Sequence, residues 1–129
     1  MCGAIRFTCS AESLRTFNCH CRDCQKATGA AFVTAIGLPS AAVAITGQPK
    51  YYTVEADSGN KISRGFCPEC GSRLFVKISG RANVIGIHLT SLDDPSSYQP
   101  TMDIWTSSAQ KWDYMNPSLQ KQLKGFPSS

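Results

Sequence analysis

The chain has no long apolar run: nothing in it approaches the roughly 18 consecutive apolar residues that a membrane-crossing helix needs. The opening stretch, Met1-Cys2-Gly3-Ala4-Ile5-Arg6, has no apolar signal-peptide core. Charge of one sign is scarce too. Thirteen Lys and Arg against nine Asp and Glu leave +4, and no basic run concentrates it, which argues against a nucleic-acid partner. No paired carboxylates and no serine–histidine set stand out, so an ordinary hydrolase has little support. Repeats, low-complexity tracts and linkers are also missing. At 129 residues the chain is expected to form a single domain over 1–129, with a less regular tail from about 113.

What the chain does have is cysteine, seven in all. Without an export signal the expected compartment is reducing, with the cytoplasm as default, and there thiols bind metal instead of pairing. Five of the seven lie in Cys19-His20-Cys21-Arg22-Asp23-Cys24 and Cys67-Pro68-Glu69-Cys70-Gly71, and Cys2 is available to join one group. Such spacings let thiolates surround a small soft cation, most commonly zinc. Six bound thiolates and two zinc ions would leave the loaded protein at about +2.

The rest of the pattern is mainly β. Ile5, Phe7 and Cys9 alternate with Arg6 and Thr8, which predicts a half-buried strand carrying Cys9 as an inert core thiol. A turn at Ser10–Ser13 and a returning strand from Leu14 to Asn18 would place Cys2 near the Cys19–Cys24 loop. One helical turn fits between Cys24 and Gly29. Further strands are expected at Ala31–Ile36, Lys50–Val54, Lys61–Phe66, Arg73–Ile78 and Asn83–Leu89, with a break at Asp93-Asp94-Pro95. Asn116 is predicted to cap a short C-terminal helix, with Pro117 in its first turn and Leu119 and Leu123 on one face.

A strand ending in Cys-Pro-x-Cys-Gly is a zinc-knuckle pattern, in which Gly71 lets the backbone fold back so that amides reach the sulfurs. Two thiolates do not close a four-ligand site. Cys2-Gly3 looks like half of a second knuckle, whose missing cysteine would stand one residue before Met1. Cys9, the other candidate, lies roughly 23 Å along an extended strand from Cys2. A redox dithiol at Cys67 and Cys70 would want a strand–helix context that this region lacks.

Cys19, Cys21 and Cys24 can grip one zinc and leave its fourth position open. Zinc bound by three thiolates is electron-rich, and better suited to activating an incoming thiol than to making hydroxide. The competing reading is a second structural zinc completed by Cys9, His20 or a distant residue; His20 is expected to point away from the metal. Arg15, Arg22 and Lys26 either meet substrate carboxylates or offset thiolate charge on a solvated face. His88 reads as a partly exposed sheet residue, and Trp105, Trp112, Tyr51 and Tyr52 as packing residues. An iron–sulfur centre is a third possibility.

Four stretches carry a resemblance: Cys2-Gly3-Ala4-Ile5-Arg6-Phe7, Cys19 through Lys26, Arg64-Gly65-Phe66-Cys67-Pro68-Glu69-Cys70-Gly71-Ser72, and Leu92-Asp93-Asp94-Pro95. In that order they resemble the glutathione-dependent formaldehyde-activating enzymes and their centromere-protein-V relatives, over nearly the whole chain to about Trp112. The resemblance implies an Mss4-like fold of several small antiparallel sheets organised around zinc. It implies a structural zinc, matched here by Cys2, Cys67 and Cys70 with a fourth ligand missing upstream of Met1. It also implies a reactive zinc, matched by Cys19, Cys21 and Cys24. The implied activity is condensation of glutathione, or a similar small thiol, with formaldehyde to S-hydroxymethylglutathione, a carbon–sulfur lyase reaction. The alternative is a non-catalytic, zinc-stabilised binding or structural module. One departure is Asp103, which stands where many relatives have histidine.

Overall fold

The computed structural model describes residues 1–127, in which ten strands and one α-helix are connected by short turns. In chain order they are β1 (Arg6–Cys9), β2 (Arg15–Cys19), α1 (Arg22–Thr28), β3 (Val33–Pro39), β4 (Val43–Thr46), β5 (Lys50–Glu55), β6 (Lys61–Phe66), β7 (Arg73–Ile78), β8 (Val84–His88), β9 (Met102–Ile104) and β10 (Gln120–Lys121). The protein is mostly β with little helix, as the alternation of apolar residues predicts.

The strands divide differently from the expected set of small sheets. Eight form one sheet in the order β10-β9-β2-β3-β8-β7-β6-β5, and β1 pairs with β4 in a separate ribbon. Most pairings are antiparallel, but β2–β9 and β9–β10 are parallel. The reason for one large sheet lies in β3, which is buried at five of its seven positions and so needs neighbours on both edges. It takes β2 on one side and β8 on the other.

That choice removes the expected β1–β2 hairpin. β1 instead runs beside β4, Arg6 opposite Thr46 and Cys9 opposite Val43. This ribbon lays Ile5, Phe7, Val43 and Ile45 over a core of Ile36, Leu38, Leu74, Phe75, Ile85, Ile87 and Leu89, into which Cys67 also packs. Phe7 meets Phe75 edge-on, with centroids 5.5 Å apart. Cys2 is thereby carried to the knuckle and not to the Cys19–Cys24 loop. Cys9 is corrected as well. It lies beyond the edge of the covered core, is exposed, and its Sγ reaches the Ala11 carbonyl at 3.3 Å.

No helix forms at Asn116. Its Oδ1 accepts from the Ser118 amide at 3.0 Å, and the chain continues as β10. A helix of so few residues is marginal in isolation, whereas the free edge of β9 offers a ladder. Gln122 N donates to Asp103 O (2.9 Å) and Trp105 N to Lys124 O (2.7 Å). Leu123, meant for the helix's apolar face, is exposed.

Gly65 sits where β6 shifts register against β7 and heads into Cys67. A Cβ there would lie 2.6 Å from Tyr51 Cε1 and 3.2 Å from Phe75 Cβ. Gly65→Ala is therefore expected to cost about 1–3 kcal/mol by overpacking. Urea unfolding measures it, and an unchanged midpoint would refute the crowding argument.

Candidate metal centres

Each cysteine group is assembled by the end of a strand. At the knuckle, β6 delivers Cys67, whose amide donates to Ser72 O (2.9 Å) while its carbonyl accepts from Gly71 N (2.8 Å). Gly71 has φ +77, a left-handed conformation open to glycine, and it returns the chain so that Cys70 faces Cys67. Cys2 completes the group with its Sγ 3.7 Å from Cys67 Sγ, and all three sulfurs lie within 4.8 Å of one another. A disulfide would need about 2.05 Å. The edge of a tetrahedron with metal–sulfur bonds near 2.3 Å is about 3.8 Å, which the Cys2–Cys67 spacing matches. The Ser72 hydroxyl, then the amides of Ser72 and Cys2, pull the Cys70 thiol down to about 6.

The second group spans the end of β2 and the start of α1. Cys21 is the helix N-cap, its Sγ accepting from Cys24 N at 3.3 Å. Gly29 closes the helix at φ 69, its amide bound to Gln25 O at 2.8 Å. Cys19 and Cys24 are buried and Cys21 half-buried, and the three sulfurs again lie within 4.8 Å of one another. Donation from Cys19 and Cys24, then the Cys24 amide and Arg64, pulls Cys21 down to about 2. Cys19 is pushed up by Cys21, Cys24 and burial. Three crowded thiols cannot all ionise beside one another without a cation among them, and a divalent soft ion supplies that. Both groups fit zinc in donor type and spacing, and each could hold a metal ion.

Beside Cys24, a recess of 10 Å³, room for about one water, is walled by Thr28, Val33, Arg64, Arg73 and His88. Thr28, Val33, Arg73 and His88 also border a groove of 1040 Å³ lined by residues of β1. Burial, then the charges of Arg73 and Arg64, push His88 down to about 4, so it is neutral at pH 7. The basic residues singled out in the sequence are elsewhere. Arg15 lies over the Phe126 ring at 4.2 Å, Arg22 bonds Gln25, and Lys26 is exposed. Arg64 and Arg73 were not read as site residues, although each stands three residues outside the Cys67–Cys70 pair.

His20 does turn away from the sulfurs. It is 1% exposed, with Nε2 2.8 Å from Asp103 Oδ1 and Nδ1 2.7 Å from Asp113 Oδ2. Asp103 Oδ1 also accepts from Asn18 Nδ2 at 3.0 Å. Its Oδ2 lies 2.8 Å from Lys121 Nζ, an ion pair off the ideal hydrogen-bond direction. Trp105 packs against the cluster of Cys19, Cys24, Val33 and Ile104 in a left-handed conformation, φ 58 and ψ 38, which turns the chain sharply after β9. For a residue with a Cβ that conformation costs roughly 1–2 kcal/mol. Cys9 belongs to neither group.

No helix among the described residues is long and apolar enough to cross a membrane. A search of curated proteins finds no match. Among solved structures, the crystal structure of a Rhodobacter sphaeroides protein, a structural-genomics target, is similar with a TM-score of 0.56. It is 16% identical and the match covers 71% of this chain and 83% of that one, a likeness of fold. Residues 1–108 match the family model described as glutathione-dependent formaldehyde-activating enzyme. That span takes in both cysteine groups and the strands that carry them, and the chain belongs to this family.

Proposed function

We propose that residues 1–129 act as one zinc-dependent domain that joins a small thiol, glutathione or a relative of it, to formaldehyde. Cys2, Cys67 and Cys70 hold a structural zinc, and Cys19, Cys21 and Cys24 hold the reactive one. The observation that carries this reading is the second sulfur trio standing beside a recess whose walls, Arg73 and His88, continue into the large groove. When bound there, zinc supplies the positive charge that keeps a thiol sulfur deprotonated at neutral pH.

The chain's own groups do the rest. Arg64 and Arg73 attract the carboxylates of an anionic thiol such as glutathione towards the recess. Neutral His88 donates a ring N–H to the carbonyl oxygen as charge develops on it. The thiol sulfur forms a bond to the formaldehyde carbon, the carbonyl π pair moves to oxygen, and the proton lost by the thiol ends on that oxygen. The product is the S-hydroxymethyl thiol, and the reverse reaction is a carbon–sulfur lyase step. A reducing compartment such as the cytoplasm suits both the free thiols and the substrate.

Metal analysis with and without glutathione, paired with NMR detection of the hydroxymethyl adduct, tests the proposal. The wild-type protein should contain two zinc ions and speed adduct formation above the spontaneous rate. Cys21→Ser should lose one ion and about 100-fold or more of that acceleration, the size expected when a transition-state stabilising group is removed. A second reading, a scaffold with two closed sites, is favoured by the burial of Cys19 and Cys24 and the narrowness of the recess. Two ions undisturbed by glutathione, with no acceleration, would decide for it.

A further inference from the structure

Residue 20 stands between two of the three sulfur donors, and each of its polar groups is tied down. Its amide donates to Ile104 O at 3.0 Å. Its carbonyl accepts from Gln25 Nε2 at 2.7 Å, and its ring nitrogens reach Asp103 and Asp113. Gln25, buried in α1, is held in turn from the same side. Its Nε2 also donates to Ser108 O (3.1 Å), and its Oε1 accepts from Gln110 Nε2 (2.9 Å). The loop carrying Cys19, Cys21 and Cys24 is thus gripped at both ends by residues 103–113, and Lys121 secures Asp103.

We propose that Asp103, Asp113 and Gln110 are positioning residues for the Cys19–Cys24 centre, acting through His20 and Gln25 to hold its three sulfurs ready for a metal ion. The proposal rests on reading that group as a metal site. None of these residues touches the sulfurs. Their effect is that the loop is ordered before the ion arrives, so that binding does not have to freeze it. Both ring nitrogens of His20 are engaged, one by Asp103 and the other by Asp113, so the ring is fixed in rotation as well as in place. The Cys2–Cys67–Cys70 group has no contact with this network among the described residues, and it serves as an internal control.

The test uses the full chain loaded with cobalt(II) and back-titrated with a chelator, reading thiolate-to-cobalt absorption for each equivalent. Cys67→Ser and Cys19→Ser identify which equivalent belongs to which group. Asp113→Ala should weaken the Cys19–Cys24 equivalent by about 10-fold or more and shift its absorption, with the other equivalent unchanged. Asp113→Asn keeps an acceptor for Nδ1 and should recover most of the affinity. Should Asp113→Ala not fold, Gln110→Ala, which acts on the loop through Gln25, is read in the same way. Unchanged affinities, or an equal fall at both sites, would overturn the proposal. If Cys19→Ser still binds two ions, the metal-site reading itself fails. If it loses one while Asp113→Ala and Gln110→Ala lose nothing, the positioning role alone fails.

Discussion

Replacing Cys67 by serine should remove one metal equivalent and lower the thermal midpoint by about 10 °C or more. Two losses add. Cys67 is 2% exposed and belongs to the main apolar core, so the substitution sets a hydroxyl among Leu74, Phe75 and their neighbours. Burying a hydroxyl without a good partner costs roughly 1–3 kcal/mol. It also removes the buried sulfur of the trio that joins the start of β1 to the end of β6, a link spanning 65 residues. Structural zinc contributes about 10–16 kcal/mol in peptides that cannot fold without it. Here a separate core remains, so a smaller share appears as folding free energy. Even about 3 kcal/mol moves the midpoint by roughly 10 °C for a chain of this size. Calorimetry with metal analysis measures both effects, and a variant with two ions and an unmoved midpoint would refute the argument. Adding a strong chelator to the wild-type protein should reproduce the metal-dependent part.

Asp103→Asn should destabilise the protein by about 1–3 kcal/mol, the cost of upsetting a buried, hydrogen-bonded carboxylate whose cation, Lys121 with its side chain 34% exposed, can still turn to water. The side chain is 1% exposed and faces the Lys121 ammonium, the His20 ring and the Asn18 amide. An amide in its place leaves the cation without a counter-charge, and presents a donor where donors already converge. The same contacts set a pH dependence. Burial pushes the Asp103 carboxyl up, but Lys121, His20 and Asn18 together outweigh it and hold the group below its ordinary value of 3.8. A carboxyl depressed on folding binds more protons unfolded than folded between the two values. Its stabilisation is therefore complete above the ordinary value and is lost as pH falls below it towards the folded one. Urea titrations from pH 6 downward should show the gap between wild type and Asp103→Asn narrowing through the acid range. A gap that stays constant would show that the carboxylate charge is not what matters.

How far the sequence reveals this arrangement depends on how far apart the partners are. β5, β6 and β7 follow closely from alternation and turn residues, because each pairs with its neighbour in sequence. The Cys19–Cys24 and Cys67–Cys70 groups are legible from spacing alone, because the cysteines of each lie within one loop. β1's partner was not legible. The alternation of Ile5 and Phe7 is correct, but nothing local says that β4 and not β2 runs beside it, and Cys9 carries the same period without a core to meet. β9 and β10 were missed for a stronger reason. β9 joins by parallel pairing to a strand some 85 residues earlier and β10 joins β9 in the same way, and short parallel strands leave no periodic signature. The carboxylates on His20 come from positions 83 and 93 residues away. Asp103 stood out in the sequence as a departure. Its role became visible once β9 lay against β2.

The pairing of β9 with β2, and of β10 with β9, also sets an order of assembly on the ribosome. Cys2, Cys67 and Cys70 can meet once the β6–β7 hairpin that supports them has emerged, complete at Ile78. The supports of the Cys19–Cys24 loop arrive later with Asp103, Asp113 and Lys121, the first of them 25 residues beyond Ile78. During translation, therefore, the knuckle can form first, while the Cys19–Cys24 loop waits for β9 and the segment that follows it.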